Sequence, residues 1–302
     1  MKFFINRDII EGPYGGGMNF VRAFLTLAPK LDVTVGTRLN QKYDAILLMD
    51  PRPDEHNPVG IKEVMNYKIM FPKVKVFQRV NECDARKQTT GVDQMLHACG
   101  KQNDFTFFVS DWMRDYHQKR SWPCQNTQVV YNGVDKSIFN PGAKLNNGKT
   151  NIVTHHWSDN AYKGGDVHTW LDGFALRNSE KFTYTYIGRN GTPLPNSNVI
   201  EPLHGKALGD ELKKYDIYVT GTVCDPGPNH VIESIACNLP TYAHQRGGGA
   251  VEFVGPEHVY ENEVKLEEFL RLATHDANKW VPPYWEECVL QYVNKMKEVV
   301  NG

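Results

Sequence analysis

Short apolar runs alternate with helix-length segments along almost the whole chain, and the alternation stops once and then restarts. A chain built this way is committed to parallel sheets with crossover helices, because parallel neighbours cannot be joined by a tight turn. Residues 2–6, 33–37, 44–49, 74–80, 105–110 and 127–132 read as the first set of strands. Among the intervening segments, residues 18–31 form the clearest helix, with Phe20, Phe24, Leu27, Ala28 and Leu31 on one stripe. Residues 141–150 (PGAKLNNGKT) have almost no apolar content and read as a linker. Strands resume at 151–157, 182–188, 198–200, 216–221 and 241–243, with helices expected over 166–176, 206–215, 231–238 and 264–273. The last segment, 284–300, carries Tyr284, Val289, Tyr292, Val293, Met296 and Val300 at helical intervals after Pro282-Pro283, and is long enough to cross back to the first domain. The 302 residues suit two α/β domains, expected at 1–146 (with 284–302 packing back on it) and 147–283.

Charge excludes some functions. With 34 basic and 35 acidic residues the chain has no electrostatic footprint for nucleic acid. No apolar run approaches the length of a membrane span, and the N-terminal apolar run is too short for a secretory signal, so a cytoplasmic protein without stable membrane insertion is expected. Peripheral contact with a membrane stays open through a lipid-linked acceptor. The six cysteines have no metal-ligand or Cys-x-x-Cys spacing, as expected of buried thiols. Asn190-Gly191-Thr192 matches a glycosylation sequon and reads as an ordinary turn.

Chemistry-bearing residues gather where strands end and helices begin, the ligand-binding edge of open α/β sheets. The sequence Asp225-Pro226-Gly227-Pro228-Asn229-His230-Val231-Ile232-Glu233 sets two carboxylates eight positions apart across a loop entering a helix. Glu233 could accept hydrogen bonds from vicinal ribose hydroxyls and Asp225 from a sugar ring; alternatively, Asp225 caps the helix and Glu233 faces solvent. Lys163, before Gly164-Gly165, could neutralise a diphosphate or be a loop lysine. His155-His156 invites a metal reading, but neighbouring strand side chains point apart and no third ligand is nearby. Gly12 to Gly17 offers a bare-backbone anion nest or a flexible turn, without the spacing of a dinucleotide site or a P-loop. Asn81 and Asp84, in the charged stretch 78–87, could reach a sugar or an acceptor hydroxyl; Arg79, Arg86, Glu82 and Asp84 could equally be a surface ion-pair cluster. Gly247 to Gly249 gives a further point of backbone approach or a mobile loop.

Together these motifs resemble a retaining glycosyltransferase of the GT-B fold, similar to glycosyltransferase family 4, over most of the chain. Asp225 to Glu233 resembles the family's E-x7-E element with Asp in place of the first Glu, and Ser234 to Pro240 (SIACNLP) its continuation. Lys163-Gly164 resembles its donor-phosphate pair, His156 to Asn160 with Asp225-Pro226 and Asn229 one branch of it, Val130 to Asp135 its NGVD, and Gly15 to Gly17 its N-terminal glycine loop. The resemblance implies two Rossmann-like domains facing a central cleft, with Asp225, Lys163 and Asp84 as catalytic residues. It assigns donor binding to Gly16, Gly17, Arg189, Asn229, Glu233, Gly248 and Gly249. Arg189 is included because Ser158 stands where the family has an arginine. The family histidine that contacts the donor sugar has no clear match, so Asn81 and Asp84 are its candidate replacements. The implied reaction moves a sugar from a nucleoside diphosphate sugar to a hydroxyl of a glycan or other acceptor, retaining configuration, with no cofactor and no metal. A catalytically silent carbohydrate- or nucleotide-binding module on the same scaffold is the alternative, supported by the changed carboxylate and the missing arginine.

Overall fold

The structure is a computed structural model that describes residues 1–302 other than Glu11, Pro13, Tyr14, His56, Asn190 and the side chain of Ala161. The chain divides into two compact units, Met1–Gly133 with Pro283–Gly302, and Val134–Pro282. In the first, strands β1 (Lys2–Ile5), β2 (Thr34–Gly36), β3 (Ala45–Leu48), β4 (Lys75–Val80), β5 (Phe105–Phe108) and β6 (Thr127–Val129) form one parallel sheet in the order β2-β1-β3-β4-β5-β6. Both faces are covered, so β1 sends Phe3 and Ile5 into one core and Phe4 into the other. The expected helix over 18–31 begins at Gly16 and changes at Ala28 into a 3₁₀ turn, Ala28–Leu31, because Pro29 has no N–H to continue the ladder. The terminal helix Trp285–Asn301 buries Cys288, Val289, Tyr292, Val293 and Met296 against this unit. The Tyr292 ring lies 4.3 Å from Phe107 and 4.8 Å from Phe20, which seats the helix on the sheet face.

In the second unit, β7 (Thr150–His156), β8 (Phe182–Gly188), β9 (Asn198–Ile200), β10 (Ile217–Thr220), β11 (Thr241–His244) and β12 (Val259–Tyr260) are parallel in the order β12-β11-β10-β7-β8-β9. Counted from β7, this is the 3-2-1-4-5-6 order of dinucleotide-binding sheets, with its switch point between β7 and β10. Ile152, Leu171, Phe174, Ile217, Val219 and Tyr242 build its core. The two-residue β12 was not foreseen.

The stretch expected to be a linker belongs to this unit. Residues 141–149 are exposed, which accounts for their polar composition, yet Leu145 N–H donates to Lys214 O at 2.8 Å. The units therefore divide at 133/134 and not at 146/147. Among the described residues no helix is long and apolar enough to cross a membrane. Cys83, Cys99, Cys124, Cys237 and Cys288 are buried and Cys224 half-buried, all as free thiols. Asn190 of the sequon lies outside the described residues.

Candidate functional site

At the β7/β10 switch point the two loops are locked together by their backbones. After β7, Asn160 Oδ1 accepts the Tyr162 N–H at 2.9 Å and Asn160 O accepts the Lys163 N–H at 2.9 Å, which curls the chain into the 3₁₀ turn Ala161–Lys163. Val223 N–H then donates to Tyr162 O at 2.9 Å. Gly164 has φ +89°, and a Cβ there would lie 2.5 Å from the Gly221 Cα, so only glycine lets this turn rest on the end of β10. The consequence is that Lys163 Nζ reaches Asp225 Oδ2 at 2.6 Å, with the Asp225 side chain 6% and that of Lys163 18% exposed. The cation has one side in the protein and one side open.

Asp225 is aimed by its own backbone, whose N–H donates to Gly247 O at 3.2 Å and whose carbonyl accepts the Gly249 N–H at 2.8 Å. Gly248 between them has φ +69°, and a Cβ would sit 2.6 Å from Asp225 O. Gly248→Ala is thus expected to lower folding stability by more than about 1 kcal/mol and to displace the carboxylate; an unchanged Tm would show that the loop relaxes freely. Gly249 opens the helix Gly249–Val254.

Glu233 lies in the helix Asn229–Ala236, whose first residue is Asn229 and whose N-cap position is Pro228. It is buried, and its Oε2 is 3.0 Å from His155 Nε2. The solvent-facing alternative for Glu233 is therefore wrong, and the Asp225 carboxylate pairs with the lysine. Around the pair, His230 Nε2 is 3.0 Å from Thr220 Oγ1, and His156 packs 4.5 Å from the His230 ring. Burial drives the pKa of both histidines well below the ordinary value, and the Lys163 charge adds to the effect. His168 is held between Lys163 O (2.9 Å) and Tyr184 Oη (3.1 Å), and burial lowers it to about 4. Neutral histidines can accept and donate in such a lining without adding positive charge. Among the described residues no three His, Cys, Asp or Glu side chains are grouped as metal ligands would be. Arg189, at the end of β8, is exposed and stacks 4.4 Å over the Trp157 ring. No bond links it to Lys163 among the contacts described.

In the first unit, Gly16 and Gly17 open the helix Gly16–Leu27, which has neither a side-chain cap nor an acidic residue in its first turn. Its free N–H groups suit an anion. The Gly17 Cα faces Asn81, with a notional Cβ 3.5 Å from Asn81 Nδ2. Pro13 and Tyr14 of this glycine loop lie outside the described residues.

Asp84 is placed differently from its expected catalytic role. Its Oδ1 accepts from Val92 N–H (3.0 Å) and Thr89 Oγ1 (2.8 Å), and its Oδ2 from Asp93 N–H (3.1 Å). Those bonds hold the carboxyl below the ordinary carboxylate range despite the opposing effect of burial. Asp84 caps the start of the helix Val92–Gly100. Nor is Arg79 part of a surface cluster. It is fully buried, donating to Asn132 Oδ1 at 2.6 Å and lying 4.5 Å over Phe20. Glu82 does pair with Arg86 and Lys87, at 3.1 and 3.6 Å.

No protein-family model matches the chain, and neither does any curated protein. Solved structures do. HepE from Anabaena, in complex with UDP and glucose, is 11% identical, with a TM-score of 0.64 over 99% of this chain and 98% of that one. Sucrose-phosphate synthase from Thermosynechococcus elongatus is 12% identical, with a TM-score of 0.65 over 99% and 96%. WaaG, a glycosyltransferase involved in lipopolysaccharide biosynthesis, is 13% identical, with a TM-score of 0.63 over 100% and 99%. At such identity the likeness is one of fold, and the chain has the GT-B fold over its full length.

Proposed function

We propose that this chain is a glycosyltransferase that moves a sugar from a nucleoside diphosphate sugar to a hydroxyl acceptor. The observation that carries the reading is the convergence, at the switch point of one sheet, of a half-open ammonium (Lys163) with two buried carboxylates (Asp225 and Glu233). Such a site holds a diphosphate by its cation and helix N-termini and the hydroxyls of two sugars by its acids. HepE, of the same fold, is described in complex with UDP-glucose, which makes a uridine diphosphate sugar the first donor to test.

Transfer breaks the bond between the anomeric carbon and the diphosphate oxygen, whose electron pair leaves with the diphosphate. Lys163 stabilises that growing charge, and the N-terminal end of the helix that begins at Asn229 adds its partial positive charge. The acceptor oxygen forms the new bond and its proton passes to the leaving group. Asp225 orients both the lysine and the donor sugar. We read the transfer as retaining and independent of metal, since the fixed cation does what a metal would otherwise do. Arg189 supplies a second cation on this reading.

A second reading follows from one distance. Lys163 is 2.6 Å from Asp225, and a lysine held this firmly by a carboxylate also suits a module that binds a nucleotide sugar without turning it over. Donor hydrolysis separates the two: a transferase slowly releases nucleoside diphosphate without acceptor, and a binding module returns the donor intact. The reading is tested by screening nucleotide sugars for a rise in Tm and then repeating the best one with Glu233→Ala. We expect that variant to lose roughly 1 to 3 kcal/mol of nucleotide affinity; equal affinity in calorimetry would remove Glu233 from the donor site.

A further inference from the structure

We infer that His155 is a positioning residue that fixes the carboxylate plane of Glu233, and through it the preference of the site for a ribose over a deoxyribose. This rests on the donor-binding reading above and concerns a residue that reading does not use. His155 is buried, and its Nε2 is 3.0 Å from Glu233 Oε2. An ionised carboxylate only accepts, so Nε2 carries the hydrogen and donates. The other ring nitrogen, Nδ1, is buried with no partner among the described residues. Among the described residues Glu233 is then the sole hydrogen-bond partner of the His155 side chain.

A buried nitrogen left without a bond costs stability, so a histidine kept here has to be accounted for. An apolar residue would suit the interior of β7, where Ile152 and Val153 are fully buried. The ring is held by packing: the Tyr218 ring meets it edge-on at 5.4 Å and the His230 ring at 6.2 Å. Tyr218 Oη also accepts the His155 N–H and donates to the His155 carbonyl, each at 3.1 Å. The backbone and the ring face are therefore both immobile, and the ring transmits that to Glu233.

Glu233 Oε1 has no hydrogen-bond partner among the described residues. An ionised carboxylate offers about four lone-pair sites. His155 uses one of them, and the fixed plane leaves the others at set angles. Two vicinal hydroxyls can be gripped together only if that plane does not rotate, whereas a single hydroxyl can be followed by a rotating carboxylate. Removing His155 should consequently harm the ribose more than the 2′-deoxyribose.

The experiment is calorimetric titration of the full chain with UDP, ADP or GDP, whichever raises the Tm most, and with its 2′-deoxy form. The proteins are the wild type, His155→Leu, His155→Gln, Glu233→Ala and the His155→Leu/Glu233→Ala double variant. We expect His155→Leu to weaken ribonucleotide binding about tenfold and to shrink the ribo/deoxy ratio. His155→Gln, whose amide can donate in place of Nε2, should restore most of both, and the double variant should bind no more weakly than Glu233→Ala alone. Losses that multiply in the double variant, or an equal loss for both sugars in His155→Leu, would overturn the positioning role while leaving Glu233 in the donor site. Should His155→Leu fail to fold, His155→Gln decides: a ribo/deoxy ratio at the wild-type value supports the role, and a ratio as low as that of Glu233→Ala overturns it. A wild type that binds no nucleotide, or whose binding is unaffected by Glu233→Ala, overturns the donor reading itself, and the inference with it.

Discussion

Lys163→Ala is expected to lower turnover about 100- to 1,000-fold while changing donor affinity much less. The diphosphate carries most of its added charge only as the sugar bond breaks, so a fixed ammonium stabilises the transition state more than the bound donor. The fold keeps Nζ from swinging away: Gly164 presses the turn onto Gly221, Tyr162 O is bonded to Val223, and Asp225 holds the amine at 2.6 Å. Steady-state donor hydrolysis with separate kcat and KM is the measurement. A rise in KM alone would reduce Lys163 to a binding contact. The variant also takes the cation away from the buried Asp225 carboxylate, which destabilises the fold. Part of that penalty is screened because Lys163 is half-buried. Unfolding of Lys163→Ala beside Lys163→Met/Asp225→Asn separates it from the kinetic effect: if the activity loss is chemical, the double variant regains stability but not turnover.

Folding stability is expected to fall steeply as the pH drops from about 6.5 to about 4. In the unfolded chain His156, His168 and His230 take up protons near the ordinary histidine value of 6.5, whereas in the folded protein burial holds His168 neutral down to about 4 and pushes the other two well below the ordinary value. Across that window the unfolded state binds more protons. Protonation therefore favours unfolding, and stability rises with pH until it levels off above the unfolded value. His168 alone, shifted from 6.5 to about 4, accounts for about 3 kcal/mol. The other two act in the same direction. Denaturant unfolding at a series of pH values would show this slope, and His168→Gln should reduce it by about one proton; a pH-independent free energy would mean that these histidines titrate alike in the folded and unfolded chains. Activity of the folded protein should fall only as the pH approaches about 4, because His168 Nε2–H donates to Lys163 O while Tyr184 donates to Nδ1, and a doubly protonated ring can no longer accept from Tyr184.

How far the sequence could be read depended on burial. The strands were legible because parallel strands covered on both faces carry unbroken apolar runs, as in Ala45–Leu48 and Ile217–Thr220. Apart from Gly16–Leu27 and the terminal helix Trp285–Asn301, the helices of the first unit were not. Ile61–Met70 buries only Val64 and Tyr67, and its Ile69 and Met70 are 76% and 66% exposed, so its apolar pattern points to no single face. The exposed stretch 141–149 mimicked a linker for a related reason: composition reports exposure and not which unit the backbone bonds to.

The same limit divides the site. Asp225, Glu233 and Lys163 could be found in the sequence because each lies at a strand-to-helix junction, and spacing along the chain puts such junctions at one sheet edge. Asp84 stands at an equivalent position, but its oxygens turn to the backbone of Val92 and Asp93, a choice made by a loop that no local pattern encodes. His155 is the converse case, a strand residue whose ring bonds, among the described residues, to a glutamate far along the chain in a helix. Sequence by itself therefore determined the kind of fold, the order of its elements and the short list of groups able to hold a diphosphate and two sugars. Strand pairing across the β7/β10 switch point decided which of those groups meet, because hydrogen-bond direction and burial depend on neighbours that only the folded chain brings together.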